Sequence, residues 1–137
     1  MNIYLDIDGV LVGTASPKED IEFLLKYIVE NYPDNTYWLT THCKNGENHC
    51  VDWLRRNGLS DELCDELEKK VKPTSCGVLK TEGIDMDQDF VWFDDNLFES
   101  EKRVLEAYYV ADGFFRMDPR DPEMAKKALV YLKSLKH

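Results

Sequence analysis

Short apolar runs alternating with amphipathic helical segments constrain this chain more than any other feature. Ile3–Ile7 is apolar apart from Asp6, and Thr36–Thr40, Phe90–Phe93 and Phe114–Met117 repeat the pattern. Gly77–Leu79 is a weaker third run in chain order. Runs of this length bounded by turn residues read as buried strands. Between the first two, Ile21, Leu24, Leu25, Ile28 and Val29 recur at helical spacing and stop near Pro33. Ser16-Pro17-Lys18-Glu19 ahead of them reads as a capping box with proline in the first turn. A short helix over Val51 and Leu54 should end at Gly58, and another, after Ser60, should carry Leu63, Leu67 and Val71. Val104, Leu105 and Tyr108 mark a fourth helix, and Asp121-Pro122-Glu123 opens a fifth with Ala125, Ala128, Leu129, Leu132 and Leu135. The alternation predicts one α/β domain over residues 1–137, a three-layer, Rossmann-like parallel sheet with helices on both faces.

Composition narrows the function. The 137 residues hold 27 acids and 17 bases, a formal charge of −10. The 43% apolar share is that of a packed domain and excludes a disordered acidic tail, a collagen-like chain or a bare coiled coil. The acidic excess argues against broad nucleic-acid binding, which calls for a basic field. No run approaches a membrane span, and the start of the chain lacks a signal-peptide pattern, so a cytoplasmic protein is expected. The four cysteines, Cys43, Cys50, Cys64 and Cys76, are then expected to be reduced thiols.

Chemistry concentrates at the carboxyl ends of the strands, where open parallel sheets bind their ligands. Asp6-Ile7-Asp8-Gly9-Val10-Leu11 follows the first strand, Thr40-Thr41 the second, Lys80 the third and Asp94-Asp95-Asn96 the fourth. Residues two apart on a strand share a face, so the Asp6 and Asp8 carboxylates are expected side by side. Acids that close, desolvated at a strand end, need a cation between them or a shared proton.

The six residues Asp6-Ile7-Asp8-Gly9-Val10-Leu11 resemble the first motif of the haloacid dehalogenase-like (HAD) superfamily. Thr40 resembles its second motif, Lys80 its third, and Asp94-Asp95 the double-aspartate form of its fourth. The match runs in the family order over residues 1 to 96, and that order differs from a phosphorelay receiver domain. The resemblance implies a phosphatase in which Asp6 is the nucleophile and forms an aspartyl-phosphate. Asp8 would protonate the leaving oxygen and then activate water. Mg²⁺ would be held by Asp6, the backbone carbonyl of Asp8, and Asp94 with Asp95 close by. Thr40, with Thr41 beside it, would bind phosphoryl oxygens, and Lys80 would neutralise charge. Asn96 would orient Asp95 or cap the next helix.

Both windows where family members insert a cap are short, which implies an open site with minimal or no cap. Such a site suits a substrate with a large body, such as a polynucleotide end or a phosphoprotein, or a partner subunit acting as lid, while the acidic charge still admits a phosphorylated small molecule. The cap-poor form resembles HAD domains of RNA repair. The alternatives are a non-catalytic HAD-like binding module and a polynucleotide-end phosphatase. His42-Cys43 and His49-Cys50 offer four zinc-ligand types, but the spacing fits no standard finger. The plainer reading is a loop histidine with small buried thiols beside it; the functional alternative places His42 at the mouth of the site, directly after Thr40-Thr41. Tyr4, Trp38, Trp92 and Phe93 are expected in the core.

Overall fold

The computed structural model describes residues 1–46, 48–76 and 78–135. Five strands form one sheet: β1 (Asn2–Leu5), β2 (Thr36–Trp38), β3 (Lys72–Pro73), β4 (Phe90–Asp94) and β5 (Phe114–Arg116). Their spatial order is β3-β2-β1-β4-β5, and every pairing is parallel. The helices are α1 (Lys18–Asn31), α2 (Cys50–Arg56), α3 (Asp61–Lys70), α4 (Glu99–Ala107) and α5 (Met124–Leu135). The expected α/β class and three-layer parallel architecture are therefore those of the protein. Among the described residues no helix is long and apolar enough to cross a membrane.

The two-residue period of the strands divides the core. Ile3, Leu5, Trp38, Val91 and Phe93 face one side, where α1, α2, α3 and α5 cover them. Tyr4, Phe90 and Trp92 face the other, under Leu105 of α4 and Ile84. The four expected core aromatics are all buried, and the indole nitrogens of Trp38 and Trp92 have no hydrogen-bond partner there.

Three local expectations are corrected. The third strand is Lys72–Pro73; of the expected Gly77–Leu79, Val78 and Leu79 form a bend, and Gly77 lies outside the described residues. Both β3 residues are exposed, so the strand carries no apolar signal, and its proline is tolerated because it lies on the sheet edge. Past Pro73, the Thr74 hydroxyl donates to the Trp38 carbonyl at 2.6 Å, continuing the contact with β2. The α4 pattern is also narrower than the sequence suggests, since Tyr108 is exposed beyond the helix end.

The third correction concerns Ser16. Its hydroxyl makes no cap hydrogen bond to α1, whose N-terminal boundary is Pro17. It accepts instead from the Ala125 backbone N–H at 3.1 Å, satisfying a free donor in the first turn of α5. Ser16, two residues ahead of α1, thus caps a helix more than a hundred positions away, beside the packed α1–α5 pair. Ser16→Ala is predicted to cost about 1 kcal/mol of unfolding free energy, the usual value of a helix cap. Urea unfolding followed by circular dichroism measures it; a change below a few tenths of a kcal/mol would show that the cap contributes nothing.

Candidate active site

The order of strands turns around β1, with β2 on one side and β4 on the other. Leu5 and Phe93 are paired in register, so Asp6 emerges beside Asp94. The Asp6 N–H donates to the Phe93 carbonyl at 3.1 Å, fixing the chain where it leaves the sheet. Both carboxylates are withdrawn from water, Asp6 with 7% of its surface exposed and Asp94 with 1%.

Lys80 stands between them. Its Nζ lies 3.2 Å from Asp6 Oδ2 and 2.7 Å from Asp94 Oδ2. The lysine begins a 3₁₀ turn, Lys80–Gly83, so it reaches the site without the strand expected before it. Glu101 supplies the tether. Its buried carboxylate accepts from the Lys80 backbone N–H at 2.9 Å and from the Phe98 N–H at 3.0 Å. Glu101 is the third helical residue of α4, where a glutamate can reach back to the N-cap amide. Here it also binds the lysine turn.

Asp95 completes the acid cluster. Ligand oxygens of Asp6, Asp94 and Asp95 all lie within 4.8 Å of one another, the only group of three or more such residues among those described. Gly9 has φ +78°, and a Cβ there would fall 2.2 Å from Asp95 Oδ2. Glycine is thus required twice over, by conformation and by the carboxylate above it. From β5, Arg116 donates to the Asp95 carbonyl at 3.1 Å. Asn96 contributes its backbone N–H to Asp94 Oδ1 at 3.2 Å.

The Asp8 side chain does not join this cluster. Strand β1 ends at Leu5, so the alternation that would place Asp6 and Asp8 on one face has already lapsed. Asp8 enters a tight turn in which the Gly9 N–H donates to the Val12 carbonyl. Its side chain is 59% exposed. Oδ2 lies 2.9 Å from His42 Nε2, and Oδ1 accepts from the Trp53 indole at 3.1 Å. His42 and Trp53 stack, with ring centroids 5.3 Å apart. His42 thus meets Asp8, and Trp53 joins it from outside the Val51/Leu54 stripe of α2, where no sequence pattern marks it.

Thr40 is buried at the end of β2, where its hydroxyl accepts from the His42 N–H at 3.4 Å. Thr41 is exposed and lines the cavity over the acids. Cys43 and Cys50 are buried, and the His-Cys pairs form no metal-type group among the described residues. The cavity measures about 390 Å³; Asp6, Thr41, Lys80, Asp94 and Asp95 line it, together with the exposed Val78 and Phe98. A larger groove of about 670 Å³ lies between α1 and α3, but the one metal-type group found among the described residues is the Asp6, Asp94 and Asp95 cluster.

One ammonium cannot neutralise two buried carboxylates and leave a third acid nearby at no cost. Burial pushes the Asp94 carboxyl up to about 8, the charge of Asp6 adds to this, and Lys80 opposes it. Burial alone would lower the Lys80 ammonium, but Asp6 and Asp94 outweigh it and hold it above its ordinary value. The remaining negative charge is compensated by a proton or by a divalent cation. Hard, converging oxygens at this spacing fit Mg²⁺, which takes few protein carboxylates and completes its shell with water and phosphate.

Compared with known proteins, the chain matches no protein-family model, no curated protein and no solved structure. The raised Asp94 pKa gives a direct check on the geometry. A carboxyl whose folded pKa lies above its unfolded value of 3.8 contributes stability that is present below 3.8 and lost as pH rises through about 8. Without divalent cations, wild-type protein should therefore lose stability relative to Asp94→Asn across that window. Parallel stability-pH curves for the two proteins, from urea unfolding, would contradict the buried arrangement.

Proposed function

We propose that the chain is a Mg²⁺-dependent phosphohydrolase that acts on phosphate monoesters through an aspartyl-phosphate on Asp6. The observation that carries this reading is the juxtaposition of Asp6, Asp94 and Lys80 at two adjacent strand ends, with Asp95 completing a triad of acids. Mg²⁺ would be held by the carboxylates of Asp6, Asp94 and Asp95 with the backbone carbonyl of Asp8; when bound, it supplies positive charge against the phosphoryl oxygens.

The remaining chemistry belongs to the chain's own residues. A carboxylate oxygen of Asp6 attacks phosphorus as the bond to the leaving oxygen breaks. Asp8 delivers a proton to that oxygen, which departs as an alcohol. A water molecule then gives a proton to Asp8 and attacks the phosphorus of the aspartyl-phosphate. Inorganic phosphate leaves, and Asp6 is regenerated as a carboxylate. Lys80 holds positive charge on the Asp6 side of the phosphoryl group throughout, and Thr41 offers a hydroxyl to it, with Thr40 behind.

The lining of the cavity favours a small monoester over a polynucleotide end. Lys80 is the only cation among its described lining residues, and it already faces two acids. A chain of phosphates would find no further positive partner there, while Val78 and Phe98 offer contact to an uncharged body. With Mg²⁺ present, the protein is expected to release phosphate from low-molecular-weight monoesters faster than from a 3′- or 5′-phosphorylated oligonucleotide. Asp6→Asn should lower turnover by at least about 1,000-fold, as removal of a nucleophile does. A phosphate-release panel with and without EDTA measures both. Binding of monoesters without release of phosphate would favour a non-catalytic module, and preference for the oligonucleotide would reverse the assignment of substrate.

A further inference from the structure

The two oxygens of Asp8 are held by side chains from two different segments. His42 follows the end of β2, and Trp53 lies on α2. Their contacts with Asp8, at 2.9 and 3.1 Å, have ordinary hydrogen-bond geometry. With its proton on Nε2, His42 donates to Oδ2 while Trp53 donates to Oδ1. An indole nitrogen can only donate, so Trp53 fixes the sense of its own bond. The two rings stack on one another, so each restricts the other's orientation. An aspartate with 59% of its side chain exposed would otherwise sample several rotamers. Each carboxylate oxygen also retains a second lone pair for a substrate oxygen or water.

We infer that His42 and Trp53 form a clamp that positions the Asp8 carboxyl for proton transfer to the leaving oxygen. They are positioning residues, acting through Asp8 rather than on the substrate. The inference rests on the phosphohydrolase reading and adds to it the part played by the segment after β2, which brings His42 and α2 to Asp8. Proton delivery matters in proportion to the basicity of the leaving oxygen. The clamp should therefore control which monoesters are cleaved well, and alkyl phosphates should depend on it most.

The test compares a simple alkyl phosphate, glycerol 2-phosphate, with 2,4-dinitrophenyl phosphate, whose phenolate departs without a proton. The quantity is kcat/KM, which reports only on steps up to departure of the leaving group. Trp53→Phe keeps the ring and removes the donor; His42→Phe keeps the stack and removes the other donor. Each should lower kcat/KM for glycerol 2-phosphate by roughly 10- to 100-fold, the usual effect of a misplaced catalytic group. The loss for dinitrophenyl phosphate should be at least several-fold smaller. His42→Gln, which restores an N–H donor, should recover part of the alkyl activity. Equal losses on both substrates, or no loss, with wild-type protein active, would overturn the clamp.

A second readout does not depend on turnover. The Trp53 indole N–H resonance, assigned by its disappearance in Trp53→Phe, should move upfield in Asp8→Ala as its acceptor is lost. An unmoved resonance overturns the clamp whatever the activity. Wild-type protein that cleaves neither ester while the resonance moves would instead refute the phosphohydrolase reading and remove the catalytic role with it.

Discussion

A single ammonium faces two buried carboxylates at the centre of this molecule, and the rest of the site is arranged around that imbalance. Parallel pairing of β1 with β4 puts Asp6 beside Asp94, and the sheet holds their backbones there. Lys80 offsets part of the charge, and Asp95, held over Gly9, adds more of the same sign. Desolvated acids in this number are stable only with a proton or a cation among them. A phosphoryl group brings negative charge to the same place, so the positive partners that make the cluster tolerable are those that phosphoryl transfer requires.

The support for Lys80 shows how the fold achieves this without a strand leading to it. A two-residue edge strand, a bend and a 3₁₀ turn would leave a lysine loosely placed. Glu101 removes that freedom by binding the Lys80 backbone and the amide at the start of α4 together. A buried carboxylate satisfied by two backbone donors is well suited to this task, because its partners do not change rotamer. On the other side of the site Asp8 belongs to a separate polar group, made by the residues after β2 and by α2.

Much of this was legible in the chain. The apolar runs at Ile3–Leu5 and Phe90–Phe93 located the two central strands, and the acids that follow them located the metal-type cluster. Lys80 lies beside Asp6 and Asp94 although no strand leads to it. β3 escaped detection because both its residues are exposed and one is proline, so neither alternation nor hydrophobicity marks it. The two-residue rule does not extend to the Asp8 side chain, because the strand ends at Leu5. Ser16 has the local signature of a cap for α1, and only the packing of α1 against α5 redirects it. Trp53 and Glu101 depend on tertiary contacts. Glu101 left one sequence trace, a glutamate three residues into α4, but nothing local ties it to Lys80.

The central claim is that Asp6 carries the phosphoryl group between two half-reactions. Rapid acid quench during turnover of a monoester with Mg²⁺, followed by mass spectrometry of the digested chain, tests it most directly. The account predicts one phosphoryl adduct on the peptide containing Asp6, absent from Asp6→Asn. Phosphate release with no adduct at any time, or an adduct mapped to another residue, would contradict it.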